Sequence, residues 1–148
     1  MSRSFTARTA IPEYLADIEA RVEAGFARLE QLTEGDIADP GAAGTLDLVD
    51  DDGNAKGGQC LLVSAGAETR AVPTPTAQGQ ELILYHKTDG GDITATFASP
   101  INEAGNNTAV FSAVGDLLFL KAVKTAAGNA PVYRWRVLAN DTVVLSTV

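Results

Sequence analysis

The chain contains one cysteine and one histidine among its 148 residues, which leaves little material for catalysis or metal binding. Cys60 alone excludes a disulfide within the chain, and His86 alone excludes a histidine-rich metal site. Cations are also scarce, since 11 lysines and arginines stand against 19 acids for a net charge of -8. Because phosphate binding needs a surplus of clustered cations, this balance argues against nucleic acid as a partner.

Long apolar runs are missing as well. No run approaches the roughly 20 residues that a membrane-spanning helix needs. The first ten residues, MSRSFTARTA, lack the apolar segment of a secretion signal. We therefore expect no membrane partner and a chain that stays in the cytoplasm in which it is made.

The composition itself is globular, with 45% hydrophobic and 20% charged residues in a length typical of one domain. The pattern along the chain predicts four segments. They are an N-terminal arm (1–11), an α-helix (12–35), a linker (36–45) and a β-sandwich domain (46–148).

Residues 12–35 show the spacing of an amphipathic helix. Pro12 suits its first position, and Gly35 suits its end. A narrow apolar stripe, close to the 3.5-residue repeat of a coiled coil, consists of Ile11, Leu15, Ile18, Val22, Phe26, Leu29 and Leu32. Two interpretations stay open: the stripe packs on the β domain of its own chain, or it lies against copies of itself or a groove on a partner.

From residue 46 onward, short alternating segments are separated by turns. The preceding segment, 36–45, is predicted as a linker because Pro40, Gly41 and Gly44 interrupt regular structure. The predicted strands are Leu46–Val49, Gln59–Ser64, Thr69–Val72, Glu81–Lys87, Asp92–Ala98, Thr108–Ser112, Asp116–Lys124, Val132–Ala139 and Thr142–Ser146. This rhythm predicts a mainly β fold, an antiparallel β-sandwich or jelly-roll-like domain preceded by the arm and one helix.

Turn signals occur at DDG (51–53), DGG (89–91), EAGNN (103–107) and Asn140–Asp141. The first lies within an acidic segment, 50–54, that invites a calcium interpretation. However, its glycine comes too early for a calcium loop, and Leu61 stands where a bidentate glutamate should close the ligand shell. A solvated hairpin turn is therefore the preferred interpretation.

The remaining candidates for chemistry are single residues. Catalysis by His86 would require a nucleophile beside it, and neither Ser64 nor Ser112 lies in a G-x-S-x-G elbow. We expect His86 at the surface or between subunits. Cys60 is expected to be a buried small hydrophobe. The sequence thus predicts no catalytic residue, no metal site and no cofactor, so we expect the chain not to be an enzyme.

A small basic face is predicted near the end of the chain at Lys121, Lys124, Arg134 and Arg136. It is interpreted as ordinary solvated strand surface or as a contact for another protein. Tyr133 and Trp135 alternate with the arginines and should point to the opposite face, toward a core.

Three stretches carry a resemblance to a known family: GQELILYHKTDGGDITATF (79–97), TAVFSAVGDLLFLKAV (108–123) and YRWRVLANDTVVLS (133–146). Together they resemble a β module of tailed-bacteriophage structural proteins, seen in capsid decoration (cement) proteins and in head-fibre or tail-fibre proteins. The matching positions are Gly79, Gln80, 88–92, 108–111, Ala113, Gly115, Asp116, 135–137, Asn140 and Asp141. A departure is Thr142, which stands where a glycine often completes the final turn.

The resemblance implies a virion protein without catalytic duty that binds the outside of the head and stabilises contacts between capsomers. Its partners would be the major capsid protein and itself, as a homo-oligomer and specifically a trimer. Its location would be the capsid surface, after assembly in the host bacterial cytoplasm. The expected contact residues lie in the arm and helix: Arg3, Phe5, Arg8, Leu15, Ile18, Val22, Phe26 and Leu29.

A second hypothesis is a fibre or receptor-binding module that recognises a host glycan. It requires exposed aromatic rings, and the candidates are Tyr85 and Trp135, both of which are better explained as core residues. A sandwich hydrolase or lyase is disfavoured because the chain has one histidine and no paired-carboxylate pattern.

Overall fold

The structure, a computed structural model, describes residues 16–22, 36–125 and 132–148. A helix, α1, spans residues 16–22. The strands are β1 (Asp36–Ile37), β2 (Gly44–Thr45), β3 (Gly58–Val63), β4 (Glu68–Val72), β5 (Glu81–Thr88), β6 (Ile93–Phe97), β7 (Thr108–Phe111), β8 (Leu117–Lys124), β9 (Tyr133–Asp141) and β10 (Val144–Ser146).

The strands form two five-stranded sheets packed into a sandwich. Sheet A has the order β1-β3-β5-β8-β9, and sheet B has the order β10-β7-β6-β4-β2. From β1 to β6 the chain alternates between the sheets, so strands two apart in sequence become neighbours and pair in parallel. The later strands pair antiparallel. The fold is therefore a mainly β sandwich built from two mixed sheets.

The expectation of antiparallel pairing is wrong for the first six strands, and a jelly-roll arrangement, which is wholly antiparallel, is not confirmed. Short turns usually join antiparallel neighbours, because parallel neighbours need a long crossover. Here each crossover is itself a strand of the opposite sheet. The individual connections therefore stay short although the paired strands are parallel.

Strand positions agree well with the sequence. Each predicted strand after residue 58 lies within two residues of an observed one. The predicted strand Leu46–Val49 is wrong, because only an isolated bridge between Val49 and Ala55 forms there. The predicted linker, 36–45, contributes β1 and β2, and its Ile37 is buried in the core.

The core lies between the sheets and follows the alternation of each strand. On β5 and β8, every second residue is buried. The fully buried aliphatic side chains that meet from the two sheets include Leu62, Leu82, Leu84, Ile93, Leu118 and Leu120. Burying each of them contributes about 1.5–3 kcal/mol, so this layer holds the two sheets together.

An ion-pair cluster lies inside the sandwich. The side chain of Arg70 on β4 is fully buried, with its Nε 2.5 Å from Asp39 Oδ1 and one Nη donating to Glu68 Oε2 at 2.8 Å. Burial alone would raise the pKa of Asp39, but hydrogen bonds from Arg70, Val63 and Gly41 outweigh it and lower the pKa. Asp39 therefore ties the predicted linker to sheet B.

The T-D-G-G-D segment (88–92) contains the turn predicted at 89–91, but it does not join two paired strands: it carries the chain from β5 in sheet A to β6 in sheet B. At Gly91 a Cβ atom would lie 2.5 Å from the backbone carbonyl carbon of Gly66. Glycine is required here because the segment that joins β5 to β6 packs directly against the segment that joins β3 to β4, and no space is left for a side chain.

Candidate interaction surface

Sheet A carries large apolar side chains on the side that faces away from sheet B. These half-buried residues, which we call the outer apolar face, are Leu61, Ile83, Tyr85, Leu117 and Phe119. Their positions alternate with core residues on β3, β5 and β8, and the strand register brings them together. Tyr85 is paired with both Leu61 and Leu117, and Ile83 is paired with Phe119. The face is therefore contiguous across three strands.

The outward side of sheet B differs. Its strands place Thr69 beside Thr94, and Ala71 beside Thr96. Three of these four side chains carry a hydroxyl, and all four are small, which suits a strand surface in contact with water. Among the described residues, large apolar side chains on this side of sheet B are confined to the pair Val110 and Val144 at the edge formed by β7 and β10. Sheet A, by contrast, presents an aromatic and aliphatic layer outside as well as inside, which is typical of a sheet covered on both sides.

Cationic side chains border the outer apolar face. Lys121 lies on this side of β8, opposite Arg136 of β9, and its Nζ is 3.4 Å from Glu81 Oε1. Arg134 lies on the same side, opposite Val123. Its Nε is buried and has no hydrogen-bond partner in the part of the chain that the structure describes. Lys124, predicted in the same basic face, falls on the other side of the alternation. We call Lys121, Arg134 and Arg136 the basic rim.

Helix α1 supplies a second apolar surface. Every one of its residues, 16–22, is exposed. Ile18 and Val22, four residues apart on one side of the helix, are 37% and 48% exposed. Asp17 and Arg21 form an exposed ion pair of 3.1 Å. The predicted contact residues Ile18 and Val22 are thus accessible, whereas Arg3, Phe5, Arg8, Leu15, Phe26 and Leu29 lie outside the described residues.

The aromatic candidates separate between the two sides of sheet A. Trp135 is core, as the alternation predicts, and its indole Nε1 donates to Pro73 O at 2.7 Å. Tyr85 lies on the outer apolar face, so its assignment to the core is wrong. The consecutive apolar residues of β5, Leu82 to Tyr85, are the signal of a strand covered on both sides.

His86 is fully buried, which corrects the expectation of a surface or inter-subunit histidine. It lies at the inward position of β5, with Nε2 3.5 Å from Ser64 Oγ. That hydroxyl donates to Gly91 O at 2.6 Å and accepts from the Gly90 N–H at 3.0 Å. Ser64 is therefore engaged in holding the crossing between the sheets and is not a free nucleophile.

Asp116 belongs to the same end of the sandwich. Its Oδ2 accepts from the backbone N–H groups of Ser112 and Ala113, and Oδ1 accepts from the Thr142 hydroxyl. Burial opposes the charged form, but these hydrogen bonds and the nearby His86 lower the pKa of Asp116. The carboxylate organises two turns, and both of its oxygens already accept hydrogen bonds.

The acidic turn is solvated, as predicted. Asp50 Oδ1 accepts from the N–H groups of Asp52 and Asn54, and the Asn54 bond is the main reason that the pKa of Asp50 is lowered. In the described ranges, no group of three or more His, Cys, Asp or Glu is arranged to hold a metal ion. Nor does that part of the chain contain a helix long and apolar enough to cross a membrane.

The described geometry therefore offers surfaces for other macromolecules: the outer apolar face with its basic rim, and the exposed side of α1. Scans against protein-family models, curated proteins and solved structures found no match to this chain.

Proposed function

We propose that this chain is a non-enzymatic structural protein of a tailed-bacteriophage head. It acts as a decoration or cement protein that binds the outside of the capsid and stabilises contacts between capsomers of the major capsid protein, as a homotrimer. The observation that carries the proposal is the pair of accessible apolar surfaces, on α1 and on sheet A, in a chain whose β segments resemble phage virion modules.

Several features support this role. A structural protein of a virus particle acts by binding other proteins of the particle. Burying one large apolar side chain in such a contact contributes about 1.5–3 kcal/mol. Repetition of such contacts over several copies on one shell holds a complex far more tightly than one contact does. In this proposal the arm, with Arg3, Phe5 and Arg8, contacts the shell, and the helix contacts sister copies. The cysteine is buried in the core, so assembly in the bacterial cytoplasm requires no disulfide.

The test is sedimentation of the full chain with undecorated heads of the phage that encodes it, together with its copy number in purified virions. We expect saturable binding to heads and a copy number that is a multiple of three. The matched variants are Arg3→Glu with Arg8→Glu, which alter the arm, and Lys56→Glu with Lys87→Glu, which alter the β domain. Loss of binding is expected for the first pair alone. A chain that is absent from virions and does not sediment with heads contradicts the proposal.

One observation favours the second candidate, a fibre module that binds a host glycan. Tyr85 lies on the outer apolar face beside Leu117, where an aromatic ring is accessible for stacking on a sugar. This candidate predicts glycan-array binding that Tyr85→Ala abolishes and Tyr133→Ala leaves unchanged. Absence of glycan binding by the intact protein rejects it.

A further inference from the structure

The outer apolar face needs a cover with a particular shape. Neighbouring strands lie about 4.8 Å apart, so β3, β5 and β8 present a strip about 10 Å between its outer strands. This strip matches the diameter of one α-helix with its side chains, about 10–12 Å. A single helix lying along the strands would cover the layer formed by Leu61, Ile83 and Phe119.

Helix α1 has the matching spacing. Four residues of a helix rise about 6 Å, which is the distance along the axis between Ile18 and Val22. Outward residues on one strand, such as Ile83 and Tyr85, are about 6.8 Å apart. The two apolar side chains of α1 can therefore sit over successive rows of the sheet.

The charges are also complementary. The predicted helix contains six acids and two arginines between residues 13 and 34, including Asp17 and Glu19 of α1. Within the basic rim, Lys121 is paired with Glu81 and Arg136 with Glu103. Arg134 has no ion pair among the described residues, and its buried Nε has no hydrogen-bond partner there. Carboxylates brought to this side by a covering helix would supply acceptors for the remaining N–H groups of the Arg134 guanidinium.

Among the described residues, α1 does not cover the outer apolar face of its own chain. Within one chain all of residues 16–22 are exposed, and Ile18 and Val22 retain 37% and 48% exposure. Within the described ranges, each copy therefore offers one exposed helix and one half-buried apolar face.

We infer that the outer apolar face of sheet A is the docking site for α1 of a second copy of this chain, with the acidic residues of that helix directed toward the basic rim. Each copy gives one helix and receives one. Where the rotation between neighbouring copies allows closure, such head-to-tail contacts form a ring, which is how a small homo-oligomer of this chain would form. This inference rests on the proposed function, which supplies the homo-oligomer, and it deepens that function by naming what binds the outer apolar face.

Site-directed cross-linking tests the contact. A mass-tagged chain with Ile18→Cys is co-expressed with an untagged chain carrying Ile83→Cys, and the assembled protein is oxidised. We expect a disulfide product of intermediate mass, at least tenfold more abundant than with Thr69→Cys, which places the thiol on the outward side of sheet B. The wild-type chain, with its buried Cys60, should give no product.

Three results overturn the inference. One is no intermediate-mass product above the Thr69→Cys control. Another is a product linking two Ile18→Cys chains in preference to the mixed one, which means that helices pair with each other. A third uses both substitutions in one chain: a disulfide that leaves the monomer mass unchanged means that the helix covers its own sheet.

Sedimentation equilibrium gives a second, independent readout. Ile18→Glu should raise the concentration at which the oligomer dissociates at least tenfold. The control, Ala20→Glu, puts the same charge on α1 away from the apolar side, and it should change that concentration less than threefold. Equal effects of the two variants contradict the inference. Both experiments are done without capsids. A negative result in them therefore does not bear on head binding, which has its own sedimentation test. Equally, a chain that fails to bind heads could still give the cross-link between copies.

Discussion

The hydroxyl of Thr142 donates a hydrogen bond to Asp116 Oδ1, joining the turn between β9 and β10 to the turn before β8. Thr142 has a φ of 64°, in the left-handed region that glycine favours and β-branched residues avoid. A bond to a buried, hydrogen-bonded carboxylate offsets the unfavourable backbone, which gives a physical reason for threonine here.

Two substitutions at Thr142 separate the bond from the backbone strain. Thr142→Val keeps the β-branch and removes the hydroxyl, so we expect the free energy of unfolding to fall by about 1.5–3 kcal/mol, the range for hydrogen bonds to charged groups. Thr142→Ser keeps the hydroxyl and removes the branch, so it should be neutral or stabilising by up to about 1 kcal/mol. Urea denaturation measures both. A Thr142→Val protein as stable as the wild type would show that the bond contributes nothing.

Asp39→Asn tests whether the predicted linker is part of the sandwich. Arg70 is fully buried, so loss of this carboxylate leaves much of its charge uncompensated even though Glu68 stays within reach. We expect a loss of about 3 kcal/mol in the free energy of unfolding, typical of breaking one side of a buried ion pair. Asp52→Asn, at an exposed position of the acidic turn, is the control and should change stability by less than about 0.5 kcal/mol. Equal stability of the two variants contradicts the buried cluster.

Acid should destabilise the fold through Asp39 and Asp116. The pKa of each carboxyl is lowered in the folded chain from its ordinary value of 3.8, because hydrogen bonds to the charged form outweigh the effect of burial. The unfolded chain therefore binds protons first as the pH falls. The stabilisation is present above the unfolded pKa and is lost as the pH drops through the folded pKa.

The measurement is the urea midpoint as a function of pH. We expect a constant contribution from these carboxylates at pH 6–7 and a progressive decrease below about pH 4, the ordinary range for aspartate. In Asp39→Asn the decrease should be smaller, since one of the two groups no longer titrates. An unchanged acid dependence in that variant would mean that Asp39 is not the group responsible.

Cys60 should be inert in the folded chain. Burial, with a further contribution from the negative charge of Asp39, raises the pKa of its thiol to about 12, while Arg70 acts in the opposite direction. Since the thiolate is the reactive form, labelling by a maleimide at pH 7 should be at least about 100-fold slower in the native protein than in urea. Rapid labelling of the native protein, at a rate independent of unfolding, would contradict the burial of Cys60.

The alternation of residues in the sequence determined most strand positions, because a strand that buries one side must repeat its apolar residues with a period of two. The burial of Cys60 and Trp135 and the solvated acidic turn followed from the same local rules. The apolar side of α1 was likewise visible in the spacing of Ile18 and Val22.

Only the tertiary structure decided which strands are neighbours. Pairing depends on the path of the chain. The alternation between two sheets makes β3 and β5 parallel neighbours, because the strand between them in sequence, β4, belongs to the opposite sheet. That path also buries His86 and brings Asp39 from the predicted linker to Arg70. Period-two alternation identifies two sides of a strand without telling whether one or both are covered. The run from Leu82 to Tyr85 signals a second apolar side of β5, but only the strand register shows that Ile83 lies beside Phe119 of β8.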